Sequence, residues 1–254
     1  MRQRTDHVHS NNMTPRLFCP DDLSRAVQIT LPDAAAHHVA RVLRLRIGDL
    51  VTLFDGNGGE YAASIHAVSK NEVRVDVGRF SQVERESPIH IFLAQGLSLG
   101  DKMDDTLQKA VQLGIAEFVA LQTHKSVVRL DGERAQKRFQ HWQHVAIAAC
   151  EQCGRNRLPR LNEVMSFDEF VVSADYTATR LLLSPRGKTS LGQLEKPAGK
   201  IILLCGPEAG FSANEEAIAI KSGFTPVRLG PRVLRTETAA VAALAAMNAL
   251  WGDY

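Results

Sequence analysis

Few features of this 254-residue chain suit a secreted, membrane-embedded or disulfide-stapled protein. It holds only four cysteines, Cys19, Cys150, Cys153 and Cys205, too scattered for a disulfide framework. No apolar run reaches the roughly 20 residues that a bilayer span requires. The longest uncharged stretch, Thr238–Gly252, falls short of it. The N-terminal MRQRTDHVHSNN lacks the apolar core of a secretory signal. These absences point to a soluble, cytoplasmic protein. Charge of one sign is not in excess either, since 30 Lys and Arg stand against 28 Asp and Glu, a formal +2. Net charge therefore carries no argument for a nucleic-acid partner, and any such argument has to come from local patches. Neither G-x-G-x-x-G nor G-x-x-x-x-G-K-[ST] occurs, so dinucleotide and P-loop sites lack their fingerprints.

What is there is ordinary for a globular protein: 44% hydrophobic and 23% charged residues, in a length that suits one large or two modest domains. Globular patterning begins near Met13, and residues 1–12 read as a tag or extension outside the fold. Residues 13–82 read as a small β domain. Pro32-Asp33 opens a short helix in which His38, Arg41, Val42 and Leu45 recur at helical spacing up to Gly48. LVTLF (50–54), the turn DGNGG (55–59), the alternating YAASIHAV (61–68) and EVRVDV (72–77) predict a small antiparallel sheet or barrel. The charged SQVERESP (81–88) reads as a linker.

From 89 to 254 short apolar runs alternate with helical patterns. IHIFLA (89–94), EFVALQ (117–122), RLLLS (180–184), KIILLC (200–205) and FTPVRLG near 223–230 are the candidate strands. Helices are expected over 103–114, over Glu133–Gln152, after the capping-box pattern Ser212-x-x-Glu215, and over Ala239–Leu250. The last has no polar face, so it must be buried in the core or in a subunit interface. Such alternation implies a parallel α/β sheet, and open sheets of that kind bind ligands at the carboxyl ends of their strands. Two strands run directly into Gly-Pro loops there, GPEAGF (206–211) and LGPRVLRTETAA (229–240).

Two tempting motifs fail, one on a missing partner and one on geometry. GLSLG (96–100) has the form of a nucleophile elbow, but the histidine that should follow the serine and acid is missing after His144. On a helix turning about 100° per residue, Cys150 opposes His141 and Cys153 opposes His144, so no metal site is expected. Three basic clusters, HHVARVLRLR (37–46), HKSVVR (124–129) and GRNRLPR (154–160), suit either solvated surface or a phosphate-tracking one.

GPEAGF followed by LGPRVLRTETAA resembles the signature of the SPOUT, or trefoil-knot, methyltransferases, specifically their RsmE branch. RLF (16–18), HHVARVLR (37–44), DKMDDTLQKAVQLG (101–114) and EQCGRNRLP (151–159) extend the resemblance over nearly the whole chain after Met13. It implies an α/β fold with a C-terminal SPOUT trefoil-knot domain on a parallel sheet (89–254) and an N-terminal PUA-like β-barrel domain (13–82). It implies S-adenosylmethionine-dependent methylation of N3 of a uridine in 16S ribosomal RNA of the small ribosomal subunit, by a homodimer that uses neither metal nor membrane. The cofactor is expected at Ser184, Gly206, Pro207, Glu208, Gly210, Leu229, Gly230, Leu234, Arg235 and Thr236. Arg235 is the expected catalytic cation, and Glu237 or Glu208 the proton acceptor. Arg16, His38, Arg41, Arg44 and Arg155 are the expected RNA contacts, Arg41 and Arg44 sharing a helical face at a spacing of three.

The sequence departs from the family pattern in places. Ala209 stands where a second Gly is common, so a positive φ there would cost up to ~1 kcal/mol. Gln112 replaces a usual Glu, and Leu99 a frequent basic residue. A non-catalytic RNA-binding or ribosome-assembly protein of the same fold is the alternative, and a Ser98 hydrolase is a third reading. Binding of S-adenosylmethionine separates the first reading from both.

Overall fold

Period-two alternation between Leu50 and Ser81 becomes strand pairing. The computed structural model describes residues 14–69 and 72–254, so the expectation for residues 1–12 lies outside the described residues. Two compact units divide the chain, one ending at Glu84 and the other running Arg85–Tyr254. The first contains β1 (Arg16–Phe18), β2 (Gln28–Thr30), α1 (Asp33–His37), β3 (Leu50–Phe54), β4 (Glu60–Val68) and β5 (Val73–Ser81). Its sheet runs in the order β1-β3-β4-β5-β2. The strands from β3 to β5 pair antiparallel, as does β2 on β5, whereas β1 lies parallel to β3. Val51, Leu53, Ile65, Val73 and Val75 are buried with Ala35, Ala36 and Val39 in one cluster.

The helix expected up to Gly48 ends early. After α1 the chain winds into a π-helix, His38–Leu43, stopped by Arg44 in the left-handed conformation at φ 53 and ψ 42. Arg44 is the one non-glycine residue with positive φ among the described residues, an arrangement that costs roughly 1–2 kcal/mol. The Leu45 N–H donates to Val39 O at 3.1 Å and closes the wide turn. Arg41 and Arg44 therefore do not share an α-helical face, because a π-turn shifts the phase and Arg44 lies outside the helix.

The second unit contains β6 (Ile91–Gly96), α2 (Lys102–Gln112), β7 (Glu117–Gln122), α3 (Gly132–Cys153), β8 (Arg160–Ser166), α4 (Phe167–Ser173), β9 (Thr179–Leu183), β10 (Thr189–Ser190), β11 (Ile201–Cys205), α5 (Ala213–Lys221), β12 (Thr225–Arg228) and α6 (Thr236–Trp251). Its seven strands are all parallel, in the order β10-β12-β9-β11-β6-β7-β8. Every residue of β11 is buried, as befits a central strand covered on both faces, and this is why it reads as an unbroken apolar run. On one face Phe167 and Phe170 of α4, Ala219 of α5, and Phe224 pack with Leu121, Leu182, Ile202 and Leu204. Elsewhere α2 packs against α3 and α6, and α6 against β11.

The strand β8 and the helix α4 are additions to the expected set. As an edge strand β8 mixes exposed Arg160 and Glu163 with half-buried residues and so has no apolar run. Ser166 caps α4 by accepting from the Glu169 N–H at 3.2 Å, while its own N–H donates to the Glu169 carboxylate at 3.0 Å. From β6 the chain steps outward to β7 and β8, and from β11 it steps the other way to β12. The sheet therefore changes direction at the β6–β11 seam, where such sheets open a crevice. On α6 the side chains of Ala240, Ala243, Leu244, Met247 and Trp251 are buried, while Ala249 and Leu250 are exposed and Val241, Ala242, Ala245 and Ala246 are half-buried.

Candidate active site

The loops leaving β9, β11 and β12 enclose a cavity of about 330 Å³. Ser184, Gly206, Pro207, Glu208, Gly210, Leu229, Gly230, Leu234 and Thr236 all line it, so every expected cofactor residue except Arg235 comes together there. Phe211 and Arg232 of the two Gly-Pro loops line it as well, and so do Lys125, Arg186, Cys205, Glu216 and Arg228, which sequence reasoning had not placed.

Close packing gives the 206–211 loop its path. A Cβ on Gly96 would sit 2.5 Å from the Pro207 ring, and one on Gly206 would sit 3.1 Å from Gly210 Cα and 3.2 Å from Phe211 N. The turn closes by the Gly210 N–H donating to Pro207 O at 2.8 Å. Its positive φ of 64° falls on Gly210 and not on Ala209, so alanine at 209 carries no left-handed strain. This corrects the expectation of a penalty there.

Three anchors hold the loop from outside. Phe211 packs on Phe167 with ring centroids 5.4 Å apart. Lys125 Nζ donates to Phe211 O at 3.1 Å and to Ala209 O at 3.3 Å. The Glu208 carboxylate accepts from the Leu99 N–H at 2.9 Å and from Lys102 Nζ at 3.2 Å. Position 99 thus holds the loop through its backbone, whatever its side chain. Behind this, the buried Glu215 carboxylate accepts from the His124 N–H at 2.7 Å and from the Ser212 N–H at 2.8 Å.

Gln95, wholly buried at the end of β6, is the residue that sequence reasoning missed. Its Nε2 donates to Gly206 O at 3.1 Å, to Thr236 Oγ1 at 3.0 Å and to Gly96 O at 3.2 Å. Thr236 Oγ1 in turn donates to Gly206 O at 2.7 Å. One amide therefore bridges the β6–β11 seam and reaches the start of α6. Its Oε1 is buried with no hydrogen-bond partner among the described residues. A lone polar residue in the apolar run IFLAQG was the available signal, since such a group is costly to bury unless it does a job.

The expected catalytic residues differ in their surroundings. Arg235 occupies the N-cap position of α6, exposed and without a side-chain partner among the described residues. Glu237, in the first turn of that helix, keeps Oε2 buried with no hydrogen-bond donor among the described residues. Burial would raise the Glu208 pKa, but the Leu99 N–H, its own N–H and Lys102 outweigh that and hold it below the ordinary carboxylate value. A carboxylate held so is a poor proton acceptor.

The expected RNA contacts separate into two groups. Arg41 and Arg44 are exposed with no ion pair among the described residues, and His38 is half-buried. Arg16 instead pairs with Glu60 at 2.7 Å and lies over the Phe54 ring at 5.2 Å. Arg155 is the clear correction. Its side chain is only 4% exposed, forks onto Glu86 at 2.6 Å and donates to Val111 O at 2.9 Å, so it cannot reach a phosphate. Among the residues of the rejected motifs, His141 Nε2 lies 2.6 Å from Asp104, whose other oxygen accepts from Trp142 Nε1 at 3.0 Å. Burial pushes the Cys150 thiol up to about 12, and it donates to Arg157 O at 3.7 Å. Ser98 is buried and donates to Gly96 O at 3.3 Å.

Comparison with known proteins gives this geometry its context. The RNA methyltransferase domain family matches residues 85–248, and the RNA methyltransferase PUA domain family matches residues 31–78. Ribosomal RNA small subunit methyltransferase E of Buchnera aphidicola is 32% identical over 250 residues, which cover 98% of this chain and 99% of that protein. The crystal structure of ribosomal RNA small subunit methyltransferase E from Neisseria gonorrhoeae, bound to S-adenosyl methionine, matches with a TM-score of 0.89 and 38% identity. It covers 95% of this chain and 100% of that one. A Legionella pneumophila structure in complex with the bound cofactor SAM matches with a TM-score of 0.92 and 39% identity, over 95% and 100% of the two chains. A parallel α/β sheet of the SPOUT trefoil-knot class in one unit and a PUA-like β sheet in the other accord with these matches. The chain belongs to the RsmE family, the ribosomal RNA small subunit methyltransferases E.

Proposed function

We propose that this chain transfers the methyl group of S-adenosylmethionine to N3 of a uridine in 16S ribosomal RNA of the small ribosomal subunit. The cavity at the carboxyl ends of β9, β11 and β12 carries this reading. Its 330 Å³ lies in the roughly 300–1,000 Å³ range of small-molecule sites, and solved relatives hold that cofactor. A Cβ placed on Gly210 or Gly230 would find nothing within 4 Å, so both positions leave open space beside the backbone. Main-chain groups of 206–210 and 229–234 are suited to hold a nucleoside by hydrogen bonds that no side chain dictates.

When bound, the cofactor supplies a methyl group on a sulfonium, open to in-line displacement. The protein's share is to align the uridine ring against it, and such alignment is worth up to roughly 7–11 kcal/mol of barrier. N3 of uridine is a weak acid whose lone pair is freed as the proton leaves, and the resulting charge spreads onto O2 and O4. Arg235 stabilises that charge. Glu237, with a carboxylate oxygen that has no partner among the described residues, takes the proton in preference to Glu208, which stays engaged with Lys102 and Leu99.

The working form is a homodimer in the cytoplasm. The part-exposed apolar face of α6, from Val241 to Leu250, is the surface that pairing would cover. No helix among the described residues is long and apolar enough to cross a membrane. Arg41 and Arg44 contact RNA phosphates from the first unit. Replacing both with Ala should lower the log–log salt slope of RNA binding by roughly one unit per contact. An unchanged slope in the folded double variant would leave them as solvated surface.

Gln95→Leu is expected to raise KM for S-adenosylmethionine by about tenfold, equivalent to roughly 1.4 kcal/mol. The KM for RNA should stay near its normal value. Two equal increases, or a lower stability with no change in either constant, would make Gln95 a core residue only. The reaction itself is tested by incubating the protein with S-adenosylmethionine and small subunits lacking the modification, then identifying nucleosides by mass. The expected product is 3-methyluridine. A methyl on ribose or on a ring carbon would refute N3, and a folded protein that binds no S-adenosylmethionine would leave the assembly-protein reading.

A further inference from the structure

The charges around the cavity do not cancel. Its charged lining consists of Lys125, Arg186, Arg228, Arg232, Glu208 and Glu216. Both carboxylates are engaged, Glu208 with Lys102 at 3.2 Å and Glu216 with Arg186 at 2.7 Å. Lys125 is turned to the carbonyls of Ala209 and Phe211. Arg228, at the end of β12, and Arg232, in the loop that follows, are exposed and make no ion pair or side-chain hydrogen bond among the described residues. Two guanidinium groups that line the cavity are thus left without an anion among the described residues.

The cofactor cannot account for both. S-adenosylmethionine carries a sulfonium, an ammonium and a single carboxylate, so it is a net cation with one anionic group to offer. At least one guanidinium remains for another anion, and the only polyanion in the proposed reaction is the RNA. Arginine's planar fork suits a phosphate oxygen pair, and both residues are exposed and line the cavity to which a base would be presented.

We propose that Arg228 and Arg232 bind the phosphodiester backbone beside the nucleotide to be methylated. This assignment rests on the methyltransferase reading given above. It differs from the contacts at Arg41 and Arg44 in acting at the reaction site, so it sets which nucleotide is presented as well as how tightly RNA is held.

The test uses the full-length protein with Arg228→Gln, Arg232→Gln and the double change. Binding of 16S RNA is followed at several salt concentrations, and S-adenosylmethionine binding by calorimetry. Each single change is expected to reduce the log–log salt slope by about 0.7, and the double change by about twice that, as for contacts to single-stranded RNA. Cofactor affinity should remain within about twofold, and Arg232→Lys should keep the slope because one positive charge remains. A wild-type slope in the folded double variant overturns the assignment. So does a fall in cofactor affinity with an unchanged RNA slope, which would place the cofactor carboxylate on these arginines. Wild-type protein that binds neither ligand would overturn the proposed function itself, and this assignment with it.

Discussion

Gly206→Val is expected to lose S-adenosylmethionine binding by on the order of 100-fold or more, about 2.7 kcal/mol, in a protein that still folds. Even a single added carbon would stand 3.1 Å from Gly210 Cα and 3.2 Å from Phe211 N. Those neighbours are backbone, which cannot rotate aside as the end of a side chain can. The loop cannot drift as a unit either, because Phe211 is packed in the core and Glu208 is tied to Leu99 and Lys102. The strain must therefore open the loop where it meets the cavity. The sheet beneath keeps its register, and overpacking of this kind costs roughly 1–3 kcal/mol of stability. Gly210→Ala is the useful contrast, since its Cβ has open space and the penalty comes only from φ 64. Calorimetric binding that survives in folded Gly206→Val protein would take this loop out of the site.

Glu86→Ala should destabilise the fold more than Gly206→Val does, by about 3–5 kcal/mol. It strips the counter-charge from the buried Arg155 guanidinium, held by Glu86 at 2.6–3.2 Å. Desolvation by itself would lower the Arg155 pKa, yet the Glu86 carboxylate raises it above its ordinary value, so the cation stays charged when paired. Removing the partner leaves a charge that can neither reach water nor easily lose its proton. A drop in Tm of roughly 10 °C would follow, at about 2–4 °C per kcal/mol for a chain of this size. Replacing the pair together, Glu86→Leu with Arg155→Met, should recover most of the loss, because a buried pair is seldom worth more than the apolar residues that could fill its space. Chemical denaturation of wild type, Glu86→Ala and the double variant gives the comparison. A Glu86→Ala protein less than ~1 kcal/mol below wild type would show that Arg155 finds other company.

How far the sequence anticipated this depends on the kind of signal each element sends. The strands β7 and β11 were legible because both faces are covered, so EFVALQ and IILLC stand out as apolar runs. The helix α5 was legible from Ser212 and Glu215, which do form the reciprocal cap. Edge strand β8 was not, because none of its residues is fully buried and its composition is that of a loop. The π-helix was invisible for another reason. Apolar spacing near 3.6 cannot reveal a local switch to a wider turn, and the left-handed Arg44 that ends it is a residue seldom found there. At the site, the Gly-Pro loops announced themselves through backbone chemistry, which composition records well. Gln95 and the pairing of Arg155 depend on partners far along the chain, and only the fold brings those together. Arg155 in particular, an expected RNA contact by resemblance, is buried on Glu86 instead, because charge on a string of residues says nothing about which of them is buried.

The order of the parallel strands also bears on how the protein comes into being. Central strand β6 finds one of its two neighbours, β7, soon after it is made, but the other is β11, with Ile91 set against Ile201. While translation proceeds, the apolar edge of β6 has to wait for most of the second unit to emerge. Closing so long a loop is slow compared with local helix formation, and the waiting edge is open to pairing with other chains. The same seam that holds Gln95 and Gly206 together thus forms late, and β12 must still add to β9, so the cavity appears only when folding is nearly complete. Newly made chains should acquire ligand binding late and in one step, and conditions that slow the docking of β11 should produce aggregates rather than a half-active enzyme.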